Sequence, residues 1–243
     1  MDTYIIAFGH RARSGKDTAI AEIIKRRGKK TTIIDPGYWF VEGQDIRRYG
    51  FGDELKREVT QAALSAGGMR QLFGTWEFYQ GNKNGADYFI ELPEWVRNSY
   101  EERPDMTDPL CPFGKQRGLL QWWGTELRRN FDADYWVNKL SKRIEKEKPA
   151  IALINDLRFP DEMRWVKQSG GETIRVDNPR VPPLTQKSHY SERALANVPD
   201  EDWTRILVND ETLEQFRDKA VDAFDTLMEF FPYGNNEKET QNV

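Results

Sequence analysis

Hydrophobic and polar positions along this chain fall into two alternating rhythms. Short apolar runs bounded by turn residues predict buried strands at 3–8, 46–51, 150–155, 172–177 and 204–208, with 31–35 as a candidate extra edge strand. Between them, apolar residues recur at spacings of three and four, which predicts helices over 17–27, 53–66, 117–129, 134–147, 160–169 and 211–231. In the last of these, Leu213, Phe216, Ala220, Phe224, Leu227 and Phe231 fall on one face. Strands that alternate with helices imply an α/β fold: a parallel sheet covered on both sides, with ligands at the carboxyl ends of its strands.

The rhythm breaks over 67–115, where Gly67-Gly68, Gly81-Asn82, Asn84-Gly85 and four prolines are interleaved with aromatic residues. This stretch is expected to be an irregular insertion or lid-like subdomain rather than a sheet element. Pro179, Pro182 and Pro183 mark a second connection over 178–188, and the polar stretch 232–243 lacks any period and is expected to be a flexible tail. The rest of 1–243 is expected to form one domain.

Composition narrows the class. With 243 residues, 38% of them hydrophobic, the chain can build a sizeable core. Its single cysteine, Cys111, excludes an intrachain disulfide framework and suggests a cytoplasmic setting. No apolar run is long enough for a membrane span, and the N-terminus lacks the basic-then-apolar pattern of a leader. A net charge of −4 argues against broad coating of nucleic acid, so no direct nucleic-acid binding is expected. It leaves room for a local cationic cluster that grips a small anion.

The stretch Phe8-Gly9-His10-Arg11-Ala12-Arg13-Ser14-Gly15-Lys16-Asp17-Thr18 follows the first apolar run. A glycine-bounded loop between strand and helix forms a nest of backbone N–H groups at the positive end of the helix dipole, suited to phosphate. Lys16 adds a mobile charge for the outer phosphates of a nucleoside triphosphate. Five residues, one more than the common spacing, separate Gly9 from Gly15, so His10 or Arg11 is expected to bulge. Asp17 stands where a magnesium-binding hydroxyl usually does. It can hold hydrated Mg²⁺ through water, with Thr18 as a further oxygen.

At the second strong signal, Ile151-Ala152-Leu153-Ile154 ends in Asn155-Asp156, with Arg158 two residues on. Asp156 and Arg158 then share one side of an extended backbone at the edge where the phosphate loop opens. The fork of Arg158 suits a phosphate; the alternative is a structural pair that caps the next helix. The acidic first turn at Asp53 and Glu54 suits a helix N-terminus. Lys115, Arg117, Arg128 and Arg129 form a basic patch around 121–127, and His189 is expected to position a loop rather than act as a base.

Taken in order, these segments resemble bacteriophage deoxynucleoside monophosphate kinases. The resemblance rests on R-S-G-K-D-T at 13–18, Leu55-Lys56, and L-x-Q-x-x-G-T-E-L at 119–127 with Asn130-Phe131-Asp132 and Tyr135-Trp136-Val137. It extends to Asp156, Arg158 and Glu162, and to His189–Glu192. It implies a P-loop kinase fold that moves the γ-phosphoryl group of ATP, with Mg²⁺, onto a deoxynucleoside 5′-monophosphate, in the host cytoplasm if phage-encoded. By matching positions it implies that Arg11, Arg13, Ser14, Gly15, Lys16, Asp17 and Thr18 hold ATP. Lys56, Arg117, Gly124, Thr125, Trp136, Asp156, Arg158 and Glu162 line the acceptor site. Lys16, Arg158, Asp156 and Arg117 are the catalytic candidates, and a homodimer is plausible on the same resemblance. Two alternatives stand beside it: another small-molecule P-loop kinase, of the dephospho-coenzyme A kinase kind, and a non-catalytic nucleotide-binding module. Residues 67–115 carry no matching motif, so base specificity does not transfer.

Overall fold

The computed structural model describes residues 3–35, 38–74, 77–83, 86–101, 108–185 and 188–230. Strand β1 (Tyr4–Gly9) leads through the glycine-bounded loop into α1 (Lys16–Arg27), and the hairpin β2 (Lys30–Asp35) and β3 (Tyr38–Glu42) follows. Then come β4 (Ile46–Tyr49), α2 (Phe51–Ala66), α3 (Met69–Gly74), the hairpin β5 (Glu77–Lys83) and β6 (Ala86–Glu91), and the short α4 (Glu94–Arg97). Helix α5 (Arg117–Trp122) widens into a π-helical segment, Trp123–Arg129, before α6 (Tyr135–Glu147), β7 (Ile151–Leu157) and α7 (Pro160–Gln168). The chain closes with β8 (Glu172–Asp177), α8 (Tyr190–Arg193), β9 (Arg205–Val208) and α9 (Leu213–Glu229).

Five strands form one parallel sheet in the order β4-β7-β1-β8-β9, with β1 at its centre. The alternation of side chains along β1 serves both faces. Ile5 and Ala7 pack with Ala152 and Ile154 beneath α2, α5, α6 and α7. Ile6 and Phe8 pack with Leu153, Ile174 and Val176 beneath α1 and α9. Burying one such aliphatic or aromatic side chain stabilises by about 1.5–3 kcal/mol, so these two layers fix the sheet and the edge from which the loops emerge.

Three expectations are corrected. Residues 31–35 are a strand but not an edge of the main sheet: β2 pairs antiparallel with β3 in a separate ribbon. The stretch 67–115 is not wholly irregular, because β5 and β6 form an antiparallel hairpin there; Gly81-Asn82, taken as a breaker, lies within β5. The helix expected over 117–129 changes its winding at Trp123 to a π-helical segment, in which Asn130 N–H reaches back five residues to the Thr125 carbonyl and Trp136 Nε1 donates to the Gly124 carbonyl at 2.9 Å. In α9, Phe216, Ala220, Phe224 and Leu227 are buried as expected, whereas Leu213 is exposed in the first turn. Phe231 and the expected tail 232–243 lie outside the described residues.

Candidate active site

The phosphate loop leaves β1 at Gly9, where an added Cβ would stand 2.6 Å from the Trp203 ring. His10 (φ 82°) and Arg13 (φ 62°) adopt the left-handed region, as does Gly15 (φ 114°), which ends the loop just before α1. Of the two residues where a bulge was expected, His10 takes the left-handed conformation and Arg11 does not. The Ser14 hydroxyl donates to the Arg11 carbonyl at 3.0 Å, and Asn209 Nδ2 donates to the Ser14 carbonyl at 2.9 Å. Buried Lys16 turns its ammonium back to the loop, donating to the Arg11 carbonyl and to Ser14 Oγ, the latter at 3.2 Å. Burial and the charge of Arg158 bring Lys16 down to about pKa 8, against the opposing pull of Asp17 and Asp156.

β7 delivers the facing groups. Both oxygens of Asp156 accept backbone N–H bonds from the start of α2, from Phe51 at 2.9 Å and Gly52 at 2.7 Å. Asp156 thus caps α2, a helix with no side-chain cap of its own, and places its charge at the positive end of the helix dipole. Burial pushes its carboxyl up, while Arg158 and the two amides oppose this. The pairing with Arg158 is electrostatic rather than a contact: the Arg158 guanidinium makes no ion pair among the described residues. Asn155 donates to Asp17, while its own Oδ1 is buried without a partner.

Glu162 sits in the first turn of α7 and accepts from the backbone N–H of Arg158 at 2.7 Å and of Phe159 at 3.1 Å. It also takes Arg129 Nη2 at 2.6 Å. Burial lifts its carboxyl to about 7, with Arg129 opposing. Arg129 is locked further by Asp161 at 2.5 Å and by the Phe159 ring, 3.7 Å from its guanidinium carbon.

These groups border a cavity of about 540 Å³ at the carboxyl edge of β1 and β7. Eight cationic and five carboxylate side chains line it, a local positive excess in a chain of net charge −4. Of the residues expected from sequence, Arg13, Lys16, Asp17, Lys56, Arg117, Gly124, Thr125, Trp136, Asp156, Arg158 and Glu162 line the cavity. Arg11, Ser14, Gly15 and Thr18 belong to the loop and the start of α1 but do not line it. Helix α5 and the π segment contribute Arg117, Leu120, Gln121, Gly124 and Thr125, one stripe at helical spacing.

The cations are held differently. Lys56 is tied to Asp108 at 2.9 Å and Asp53 at 3.6 Å, so Asp53 acts in an ion-pair network that includes Arg48 rather than as a cap. Arg117 is exposed and pairs with Glu192. Arg128 of the expected basic patch turns away from the cavity to Glu58, as does the Tyr135 hydroxyl. Trp136 is buried in the wall. His189 positions a loop, as expected: Nδ1 accepts the Ser191 N–H at 3.2 Å and Nε2 lies 3.2 Å from Glu126.

Sequence reasoning missed Arg48, Gln121, Asn155, Ser191 and Glu192 as lining residues. Arg48 could have been found from its place just before the Gly50 turn. The others come from elements whose neighbours in space are distant in sequence.

A glycine-bounded loop leaves the central strand of a parallel sheet and opens, at the strand ends, onto a cavity with an excess of cationic side chains. Comparison with known proteins sharpens this. A family model described as deoxynucleotide monophosphate kinase matches residues 115–220. A chain from Acanthamoeba polyphaga mimivirus, described as "Putative deoxynucleotide monophosphate kinase", is 30% identical over 225 residues, 87% of this chain and 91% of the relative. Among solved structures, a dephospho-CoA kinase from Campylobacter jejuni aligns over 92% of this chain and 96% of its own, at 12% identity and TM-score 0.43. TT1252 from Thermus thermophilus aligns over 93% and 97%, at 17% identity and TM-score 0.41. The chain belongs to the deoxynucleotide monophosphate kinase family. Its viral relative places the family beyond bacteriophages.

Proposed function

We propose that this kinase binds the triphosphate of ATP in the loop Gly9–Gly15 and transfers the γ-phosphoryl group to a deoxynucleoside 5′-monophosphate held between α2, α5 and β7. The observation that carries this reading is one cavity lined both by Lys16 of the loop and by Arg158, whose guanidinium makes no ion pair among the described residues. The acceptor is already an ionised phosphate oxygen, so the reaction needs no strong general base. Catalysis comes from alignment and from neutralising the charge that spreads over the transferring group. Lys16 and Arg13 meet it from the donor side; Arg158 and Arg117 meet it from the acceptor side.

Asp156 ties the N-terminus of α2 to β7 at the cavity, and Glu162 fixes the backbone that carries Arg158. Lys56, Gly124, Thr125 and Trp136 shape the acceptor wall. The donor set fits Mg²⁺: the Asp17 carboxylate and the buried, unpartnered Oδ1 of Asn155 are hard oxygen atoms that line the cavity, and Thr18, beside Asp17 in α1, would add a hydroxyl. Bound with ATP, Mg²⁺ would neutralise phosphate charge. Among the described residues no group of three or more His, Cys, Asp or Glu is arranged to hold a metal. Among the same residues no helix is long and apolar enough to cross a membrane.

An ADP-release assay across dAMP, dGMP, dCMP, dTMP, modified pyrimidine deoxynucleotides and the ribonucleotides tests the reading. The expected result is ADP formed in step with a deoxynucleoside diphosphate. Transfer only to dephospho-coenzyme A, or ADP release without any acceptor, would reject it. Trp136 in the wall leads us to expect higher kcat/KM for dGMP than for GMP; equal values would remove its role in sugar choice.

A further inference from the structure

The lengthened phosphate loop carries a brace that makes no contact with the cavity. The additional residue is accommodated at His10, whose φ of 82° lies where a non-glycine residue is strained and persists only when its surroundings hold it there. The main-sheet register between β1 and β7 shifts just ahead of it, between Ala7 and Gly9 inside β1. What holds His10 is its ring: Nδ1 lies 2.8 Å from Oδ1 of Asp177, the last residue of β8. Burial keeps the imidazole below the ordinary histidine range against the pull of Asp177, so the neutral ring donates its Nδ1–H.

Asp177 is itself fixed. Its other oxygen accepts from Arg175 Nε at 3.0 Å, and Arg175 is held in turn by Asp200 at 2.6 Å. The Asp177 carbonyl accepts the N–H of Asn209 at 2.7 Å, and Asn209 is the residue whose side chain grips the Ser14 carbonyl. The loop is therefore fastened to the ends of β8 and β9 near both of its own ends. Between those anchors, the His10 and Arg11 carbonyls are the ones that face the Lys16 ammonium.

We propose that His10 and Asp177 are positioning residues for the phosphate donor: their hydrogen bond sets the curvature of the loop and, through the His10 and Arg11 carbonyls, the place of Lys16 against the triphosphate. This rests on the reading of the loop as the ATP site. Neither residue lines the cavity, so both act through the loop and not by touching substrate.

The test compares Asp177→Ala, His10→Gly, their double variant and the conservative Asp177→Asn, which keeps an acceptor for the ring. Dissociation of a fluorescent N-methylanthraniloyl ATP is measured without acceptor, and KM for ATP and for the best monophosphate are measured separately. His10→Gly removes the anchor and the backbone strain together, whereas Asp177→Ala removes the anchor alone, so comparing the two separates the effects. The expected result is weaker ATP binding by about tenfold in each single variant, the scale of a small misplacement in an aligned site. The monophosphate KM stays within about twofold, and the double variant is no worse than either single, as one shared contact requires. Asp177→Asn, whose one oxygen still accepts from the ring while its amide nitrogen cannot accept from Arg175, falls between wild type and alanine.

ATP dissociation that is unchanged in Asp177→Ala would overturn the proposal, as would equal rises in both KM values or an Asp177→Asn variant no better than alanine. If the wild-type protein binds ATP yet phosphorylates no monophosphate, the proposed function fails, while the dissociation measurements still decide the role of the brace.

Discussion

Replacing Lys16 by methionine should produce opposite changes in activity and stability. The side chain is buried, and its folded-state pKa of about 8 lies below the ordinary lysine value of 10.5. The native state therefore holds fewer protons than the unfolded chain between those two values. The energetic cost of keeping Lys16 charged is fully present below about pH 8 and disappears as pH rises towards 10.5. A depression of this size corresponds to roughly 3 kcal/mol. Methionine fills a similar volume without a charge, so Lys16→Met should melt several degrees higher at pH 7, since 1 kcal/mol moves Tm by about 2–4 °C in a chain of this length.

Turnover should fall by about 10²–10³, the usual effect of losing one donor to a developing charge. Scanning calorimetry at pH 7, 8.5 and 10 should show the gap between variant and wild type closing with pH. A variant that melts below wild type at pH 7, or a gap that does not change with pH, would refute the argument that Lys16 is held charged at a cost to the fold.

Other substitutions separate roles that one cavity combines. Arg158→Ala should lower kcat by about 10²–10³ with Tm unchanged, because the guanidinium has no ion pair to lose; steady-state kinetics with a melting curve checks both. For Glu162, the folded carboxyl at about 7 lies above its ordinary 4.5, so the native state binds the extra proton and stability falls as pH rises from 4.5 to 7. Urea unfolding at pH 5 and pH 7 should show a flatter dependence in Glu162→Gln. At Gly124 an added Cβ would come 2.9 Å from Leu55 Cδ2, so Gly124→Ala should raise the monophosphate KM and leave that for ATP unchanged. Asp156→Ala removes both acceptors from the first turn of α2 and should cost about 1–2 kcal/mol of stability, read by urea denaturation, in addition to its loss of activity.

The sheet was legible because its strands are short apolar runs buried on both faces, and the 46–51, 150–155 and 172–177 patterns each end within two residues of the observed strand. The phosphate loop was legible for a different reason: the Gly9–Gly15 spacing and Lys16 are local chemistry. What sequence could not supply was partnership at a distance. Asp156 looked like a partner for Arg158, yet its hydrogen bonds go to Phe51 and Gly52, about a hundred residues away. The π segment left no mark on the apolar period, because widening a helix by one residue per turn over seven residues barely shifts which side chains face the core. The hairpin β5–β6 was hidden by the turn-forming residues within it. Arg117 and Lys56 carried the right charge, but Glu192 and Asp108, which hold them, arrive from segments with no strong pattern of their own.

The cap that Asp156 gives to α2 through two hydrogen bonds lays a folding duty on a residue also proposed for the chemistry. A population of variants chosen only for heat resistance, with no demand for phosphoryl transfer, would still retain an acceptor at this position. Retention of Asp156 among stable but inactive descendants would therefore be uninformative about chemistry, whereas Arg158, which supports no helix end, would be free to drift.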